Sequence, residues 1–253
     1  MSAPEIKTAE ELALMRQAGR IVGNILQALA QAVTPGITTF ELDRIAEDLT
    51  YRAGSKPAFK GYRQYPCSLC VSINEEVVHG IPSRKRKLKE GDIVGLDFGV
   101  IYRGFHGDAA MTVPVGKTSD EATRLMRVTR ESLMNAIEQI RPGNRVSDIS
   151  RAVQLHAESN GYTVVRDFVG HGIGRALHEE PQIPNYLGSG LPDPRLRPGM
   201  VVAVEPMVNQ GKPEVRVLED KWTAVTVDRK LSAHFEHTIA VTEAGPEIFT
   251  AAA

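Results

Sequence analysis

The chain has 253 residues, 42% of them hydrophobic and 24% charged, enough to bury a sizeable core without covalent staples. A formal net charge of −1 gives no global pull toward nucleic acid or an anionic membrane, and only two cysteines, Cys67 and Cys70, exclude a disulfide framework. No apolar run approaches the roughly 18 residues of a membrane span, and the opening MSAPEIKTAEEL lacks the basic and apolar regions of a signal peptide, so a soluble cytoplasmic protein is expected.

In chain order, Thr8-x-x-Glu11 reads as a capping box opening a helix, with Leu12, Met15, Val22, Ile25 and Leu29 along one face. Pro35-Gly36 precedes a second helical run, ITTFELDRIAEDLTYRAG, closed by Gly54. Cys67-x-x-Cys70 leads into the strand-like VSINEEVV. A thiolate needs a helix N-terminus to stabilise it, so a redox role is weak, and two cysteines cannot complete a zinc site. Five of the six residues from Arg84 to Lys89 are basic. A solvated loop is the default, and contact with ribosomal RNA is the sharper reading, since phosphate responds to local charge clusters. The runs Ile93–Phe98 and Ala109–Val115 flank a loop containing Gly99, Gly104 and Gly107, which predicts a hairpin. Thr118-x-x-Glu121 reads as a second capping box, with Leu125, Val128, Leu133, Met134 and Ile137 on the core face of its helix. Pro142-Gly143 then precedes NRVSDISRAVQLHAESNG, closed by Gly161.

These pieces repeat. Pro35-Gly36 and Gly54 recur 107 positions later as Pro142-Gly143 and Gly161, and LKEGDIVGLDFG recurs 108 later as LRPGMVVAVEPM, which pairs Asp97 with Glu205. The expectation is one catalytic domain over residues 1–253, with halves at roughly 8–115 and 118–248. Its class is α+β, with helices covering one face of a curved, mostly antiparallel sheet.

Four carboxylates and one imidazole stand out: Asp97, Asp108, His171, Glu205 and Glu236. Three of the acids lie in strand-like runs otherwise free of charge, where burial opposes ionisation. Several such acids at one place repel one another unless cations sit between them. Two divalent ions would balance four carboxylates and leave a near-neutral site able to hold a hydroxide. Mostly oxygen ligands with one imidazole suit Co, Mn, Fe or Zn.

The ordered set SINEEVVHGIP, GDIVGLDFGVIYRGFHGDAAMTV, VGHGIGRALHEEP, GMVVAVEPM and HFEHTIAVTE resembles the methionine aminopeptidases, of the short bacterial-like type I, over nearly the whole chain. The resemblance implies the pita-bread fold and a dinuclear metal centre with Asp97, Asp108, His171, Glu205 and Glu236 as ligands, Asp108 and Glu236 bridging. It implies removal of the initiator methionine from nascent chains whose second residue is small, by a metal-bridging hydroxide, with the metals also taking the substrate's α-amine. Glu205 would shuttle a proton to the leaving amine. His79 would contact the scissile amide or its neighbouring carbonyl, and His178 would stabilise the oxyanion. Tyr62, Tyr65, Cys70, Leu177 and Trp222 would line the methionine pocket. The family often carries phenylalanine where this chain has Leu177, which predicts a looser pocket. His106 and His237, each near an expected ligand, would orient those ligands, whereas His156 and His234 read as structural.

No insertion separates Glu205 from Glu236, which disfavours type II. The resemblance leads to the expectation that the catalytic domain starts directly, without the zinc-binding extension of eukaryotic type I relatives. The family is usually monomeric. Two other readings share the fold: a prolidase-type peptidase, which generally carries a substantial N-terminal domain, and a non-catalytic binding protein, which has lost metal ligands. The start Met1-Ser2 is itself a methionine followed by a small residue.

Overall fold

A computed structural model describes residues 3–252, so Met1-Ser2 lies outside the described residues. Helix α1 spans Ala9–Ala32 and α2 spans Thr39–Arg52. Both start with the reciprocal capping that satisfies otherwise orphaned amides: Glu11 N donates to Thr8 Oγ1 (3.2 Å) while Thr8 N donates to Glu11 Oε2 (3.0 Å). Thr38 and Glu41 do the same for α2. Helix α3, Asp120–Ile137, departs from expectation: its cap is Ser119, not Thr118, with Ala122 N donating to Ser119 Oγ at 3.1 Å. The cap must be the extended residue immediately before the first helical turn, and here that residue is one position later. Met134 also leaves the expected face and is 42% exposed. The buried stripe of α3 instead includes Thr129 and Ser132, whose hydroxyls donate back to Leu125 O and Val128 O. Such self-satisfied polar residues can line a core, and a pattern of apolar letters does not reveal them. Helix α4 covers Val146–Ser159.

The predicted hairpin forms, but longer and tighter. Strands Ile93–Tyr102 and Phe105–Pro114 pair antiparallel up to Tyr102 opposite Phe105. Arg103 and Gly104 make the two-residue turn, both at positive φ (47° and 84°), the geometry that follows strand twist. Gly99 and Gly107 are therefore strand residues. A Cβ on Gly107 would meet the backbone of Ala18 at 2.9 Å, so the glycine lets α1 press onto the sheet. Leu69–Ile73 pairs with the other side of Ile93–Tyr102. In the second half, Val201–Val204 lies between Gly170–Gly172 and His237–Thr242. All of these pairings are antiparallel.

The halves repeat in hydrogen bonds as well as letters. Gly36 N donates to Leu88 O (2.8 Å) as Gly143 N does to Leu196 O (3.0 Å), and Thr39 N to Arg86 O as Val146 N to Pro194 O. Each pair of helices packs mainly on the strands of its own half, α3 and α4 on two separate sheets. Val22, Leu29, Leu42, Leu96 and Phe98 are fully buried in the first core, and Leu125, Ile149, Val153, Val202 and Ile239 in the second. Each such side chain contributes about 1.5–3 kcal/mol by leaving water. A third apolar cluster, including Met15, Phe59, Tyr65, Cys70, Leu177 and Val201, draws on both halves and underlies the site described next.

Candidate active site

Strand register turns distant letters into neighbours. Asp97 is opposite Ala110, and Asp108 is opposite Gly99, so the hairpin places both aspartates two positions apart on one face. Cys70 is opposite Asp97 on the other flank. In the second half His171 pairs with Ala203 and Val204 with His237. Glu205 and Glu236 thus follow and precede the paired segments rather than lying within strands. Ala110 and Glu236 exchange both backbone hydrogen bonds and tie the halves together. All five predicted ligand positions line one cavity of about 270 Å³. So do Tyr62, Tyr65, Cys70, His79, Leu177, His178 and Trp222.

The charge pattern of this cavity is unfavourable by itself. Burial raises the carboxyls of Asp97, Glu205 and Glu236 well above the usual range, and neighbouring acids add to it: Asp108 for Asp97, Asp97 for Glu205, Asp108 for Glu236. Burial lifts Asp108 to about 7. Asp108 Oδ1 and Glu236 Oε1 are buried without a hydrogen-bond partner among the described residues. Ligand atoms of Asp108, His171 and Glu236 all lie within 4.8 Å of one another. His171 Nδ1 is 2.9 Å from Gly172 O, which fixes its proton there and leaves Nε2 as a lone pair facing the acids. Burial, then His178, lowers this imidazole to about 3, so its 3.6 Å approach to Glu205 is between a neutral ring and a carboxyl group, not an ion pair. Unpaired oxygens plus one neutral imidazole is the donor set of a hard-to-borderline divalent cation, and the residues fit one.

Around the acids stand groups suited to move charge. His79 follows Glu76–Val78 with φ of 62°, an unusual conformation for a side chain of its size, and its ring meets Phe168 and Trp222 edge-on. Burial, then His178, lowers it to about 4, so it is neutral near pH 7. His178 stands at the exposed mouth, with Nδ1 2.8 Å from Tyr62 Oη and its ring centroid 4.2 Å from that of His171. With the phenol donating to Nδ1, Nε2 keeps its proton and can donate to a developing oxyanion. Tyr62, expected only as pocket wall, is therefore also placed to orient His178. Tyr65 hydroxyl reaches Leu69 O and Gly80 O, and its ring meets Trp222 at 76°. Cys70 and Leu177 are buried beneath. Burial raises both thiols, Cys67 to about 11, which disfavours redox chemistry for Cys67-x-x-Cys70.

The chain as a whole is similar to known proteins. The description "Metallopeptidase family M24" matches residues 13–243. Methionine aminopeptidase 1 of Bacillus subtilis is 52% identical over 244 residues, covering 96% of this chain and 98% of its own. This chain belongs to the methionine aminopeptidases of metallopeptidase family M24. The crystal structure of the Thermotoga maritima methionine aminopeptidase superposes with a TM-score of 0.96 at 48% identity, covering 98% of this chain and all of that one. An Xaa-Pro dipeptidase from Bacillus anthracis, at 24% identity and TM-score 0.78, matches 97% of this chain but 61% of its own, a likeness of fold alone. The family's pita-bread architecture is thus the one seen here.

Sequence reading missed several groups. Phe59, Arg63 and Phe168 line the cavity, and no motif marked them. His234, read as structural, has Nε2 3.9 Å from Glu205 Oε2 and is buried at the site. His106 Nδ1 is 3.2 Å from Gly174 O, and His237 Nδ1 is 2.8 Å from Thr250 Oγ1. Among the described residues neither ring bonds one of the four carboxylates, so the expectation that they orient ligands finds no such contact. His156 Nε2 meets Glu131 Oε2 (3.1 Å) between α3 and α4, as a structural histidine does.

Proposed function

We propose that this enzyme removes an N-terminal methionine from nascent polypeptides when the second residue is small, acting as a cytoplasmic monomer with two divalent ions. Residues 8–115 and 118–248 would act as the two halves of one catalytic unit. The ions would be held by Asp97, Asp108, His171, Glu205 and Glu236, with Asp108 and Glu236 between them. The observation that carries the reading is the meeting of these five with His79 and His178 at the mouth of a pocket floored by Tyr65, Cys70, Leu177 and Trp222. When bound, such ions polarise a scissile carbonyl and lower the pKa of an attacking water, and Co, Mn, Fe and Zn all suit the ligands. Glu205 would accept the water's proton and pass it toward the leaving amine. His178 would donate Nε2–H to the carbonyl oxygen, held by Tyr62, and His79 would contact the amide.

The pocket is sulfur- and aromatic-lined, which suits a thioether, and each methylene buried contributes about 0.8 kcal/mol. The second residue would lie close to the ligand cluster and His79, where the backbone needs access and a small side chain leaves it open. Met-Ala and Met-Ser peptides should therefore be cleaved at least roughly tenfold faster in kcat/KM than Met-Phe or Met-Lys, about 1.4 kcal/mol or more in the barrier. Equal rates for Met-Ala and Met-Phe would overturn the proposal. In the same series Leu177→Phe should sharpen discrimination of methionine from leucine at the first position, and unchanged selectivity would remove the looser-pocket reading.

The basic segment supports a second partner, the ribosome. Arg86 is engaged with Glu76 at 2.8 Å and Arg84 lies 3.9 Å over the Phe40 ring, while Arg84, Lys85, Lys87 and Lys89 remain exposed. Changing Lys85, Lys87 and Lys89 to glutamate should weaken salt-sensitive cosedimentation with ribosomes and leave tripeptide cleavage unchanged. Equal cosedimentation of mutant and parent would return the segment to a solvated loop.

A further inference from the structure

The two-fold relation between the halves identifies a group that the catalytic reading leaves unused. At its centre Ala110 N donates to Glu236 O (3.3 Å) and Glu236 N to Ala110 O (2.9 Å). Two residues away the pattern recurs with the halves exchanged. Thr238 hydroxyl accepts from Asp108 N (3.1 Å) and donates to Asp108 O (2.7 Å). Thr112 hydroxyl accepts from His234 N (2.9 Å) and donates to His234 O (2.9 Å). The segment Asp108-Ala-Ala-Met-Thr112 thus corresponds to His234-Phe-Glu-His-Thr238, and His234 is the counterpart of Asp108. Asp97 corresponds to Glu205. Where the first half sets Asp108 beside Asp97, the second sets His234 beside Glu205.

His234 has a side chain only 4% exposed, and its Nε2 makes no hydrogen bond among the described residues. That nitrogen is 3.9 Å from Glu205 Oε2, while the other oxygen, Oε1, is 3.6 Å from His171 Nε2. Glu205 therefore stands between two imidazoles. Unlike His171, His234 does not join the group whose ligand atoms lie within 4.8 Å of one another, so it is not itself placed as a ligand. A shift of about 1 Å brings its N–H into hydrogen-bond range of the carboxylate.

We propose that His234 is a positioning residue of the metal centre: its Nε2–H holds Glu205 Oε2, which turns Oε1 toward the ion shared with His171. This rests on the reading of Glu205 as a ligand. A carboxylate free to rotate pays entropy on binding an ion, and an N–H that anchors its far oxygen removes that cost. Partners of this kind typically carry about 10–100-fold in metal affinity.

The test compares His234→Leu, which fills the space without an N–H, with His234→Gln, whose amide can still donate. Co(II) binding to the chelated proteins is followed by calorimetry and by the visible absorption of the bound ion, alongside Glu205→Ala. The expected result for His234→Leu is a Kd for at least one ion raised 10–100-fold with an altered Co(II) spectrum, recovered largely by His234→Gln, while the melting temperatures of the chelated proteins stay alike. Parent-like Co(II) binding by His234→Leu, or equal losses in the two variants, overturns the proposal. Parent-like binding by Glu205→Ala overturns it at an earlier point, by removing Glu205 as a ligand. Loss in Glu205→Ala with none in His234→Leu removes only the role of His234.

Discussion

Asp108→Ala should bind little divalent metal and lose turnover by roughly 10³-fold or more, about 4 kcal/mol in the barrier. The carboxylate removed is the one whose Oδ1 lacks any partner among the described residues and whose ligand atom clusters with those of His171 and Glu236. Without an ion this group is a liability: burial holds its pKa at about 7, far above that of an unfolded chain. A carboxyl raised in this way favours folding least above pH 7, because the unfolded chain ionises it freely while the folded one resists. Taking it away should therefore leave the chelated protein at least as stable as the parent at pH 8. Metal content, kcat and the melting temperature of chelated protein check the three parts together. Full turnover with no bound metal would remove the metal-centre reading, and a large drop in the chelated melting temperature would make Asp108 a structural residue instead.

His178→Ala should keep its metals and lose roughly 10²–10³-fold in kcat, with a much smaller rise in KM. Removal of one oxyanion donor has an effect of this size, because the bond strengthens only as charge develops on the carbonyl oxygen. His79→Ala should behave likewise, since its neutral ring lines the cavity but is not among the clustered ligand atoms. The geometry adds a graded control. Tyr62→Phe removes the hydroxyl 2.8 Å from His178 Nδ1 but keeps the aromatic wall, so kcat should fall by a smaller factor than in His178→Ala. If either histidine variant loses its metals in proportion to its activity, that residue belongs among the ligands. If Tyr62→Phe changes KM alone, Tyr62 is only pocket wall.

Much of the architecture was legible before any coordinates. The capping box of α1, the hairpin and the repeat are local or periodic, because each depends on letters a few positions apart or on a constant offset between halves. The five proposed ligand positions stood out because acids in apolar runs call for a cation and because they occur within ordered motifs. The cap of α3 and the exposed Met134 were misread because one-residue phase on a helix depends on what packs against it, and Thr129 and Ser132 satisfy their own hydroxyls inside the core.

Tertiary structure alone decided how the groups meet. Asp97 and Asp108, eleven residues apart, become neighbours only through the register set by the Arg103-Gly104 turn. The placement of His234 beside Glu205 escaped for a similar reason. Asp97 and Glu205 are offset by 108, but Asp108 and His234 by 126, because the second half inserts extra chain between its strands, including Val215–Val217 and Ala224–Thr226. A constant offset therefore never aligns His234 with Asp108. Phe59, Arg63 and Phe168 carry no motif, and only packing brings them to the cavity. The sequence by itself determined which chemistry is present and which segments repeat, since charge, capping and periodicity are written along the chain. Which atoms face one another was left to strand register and packing, which couple residues far apart in the chain.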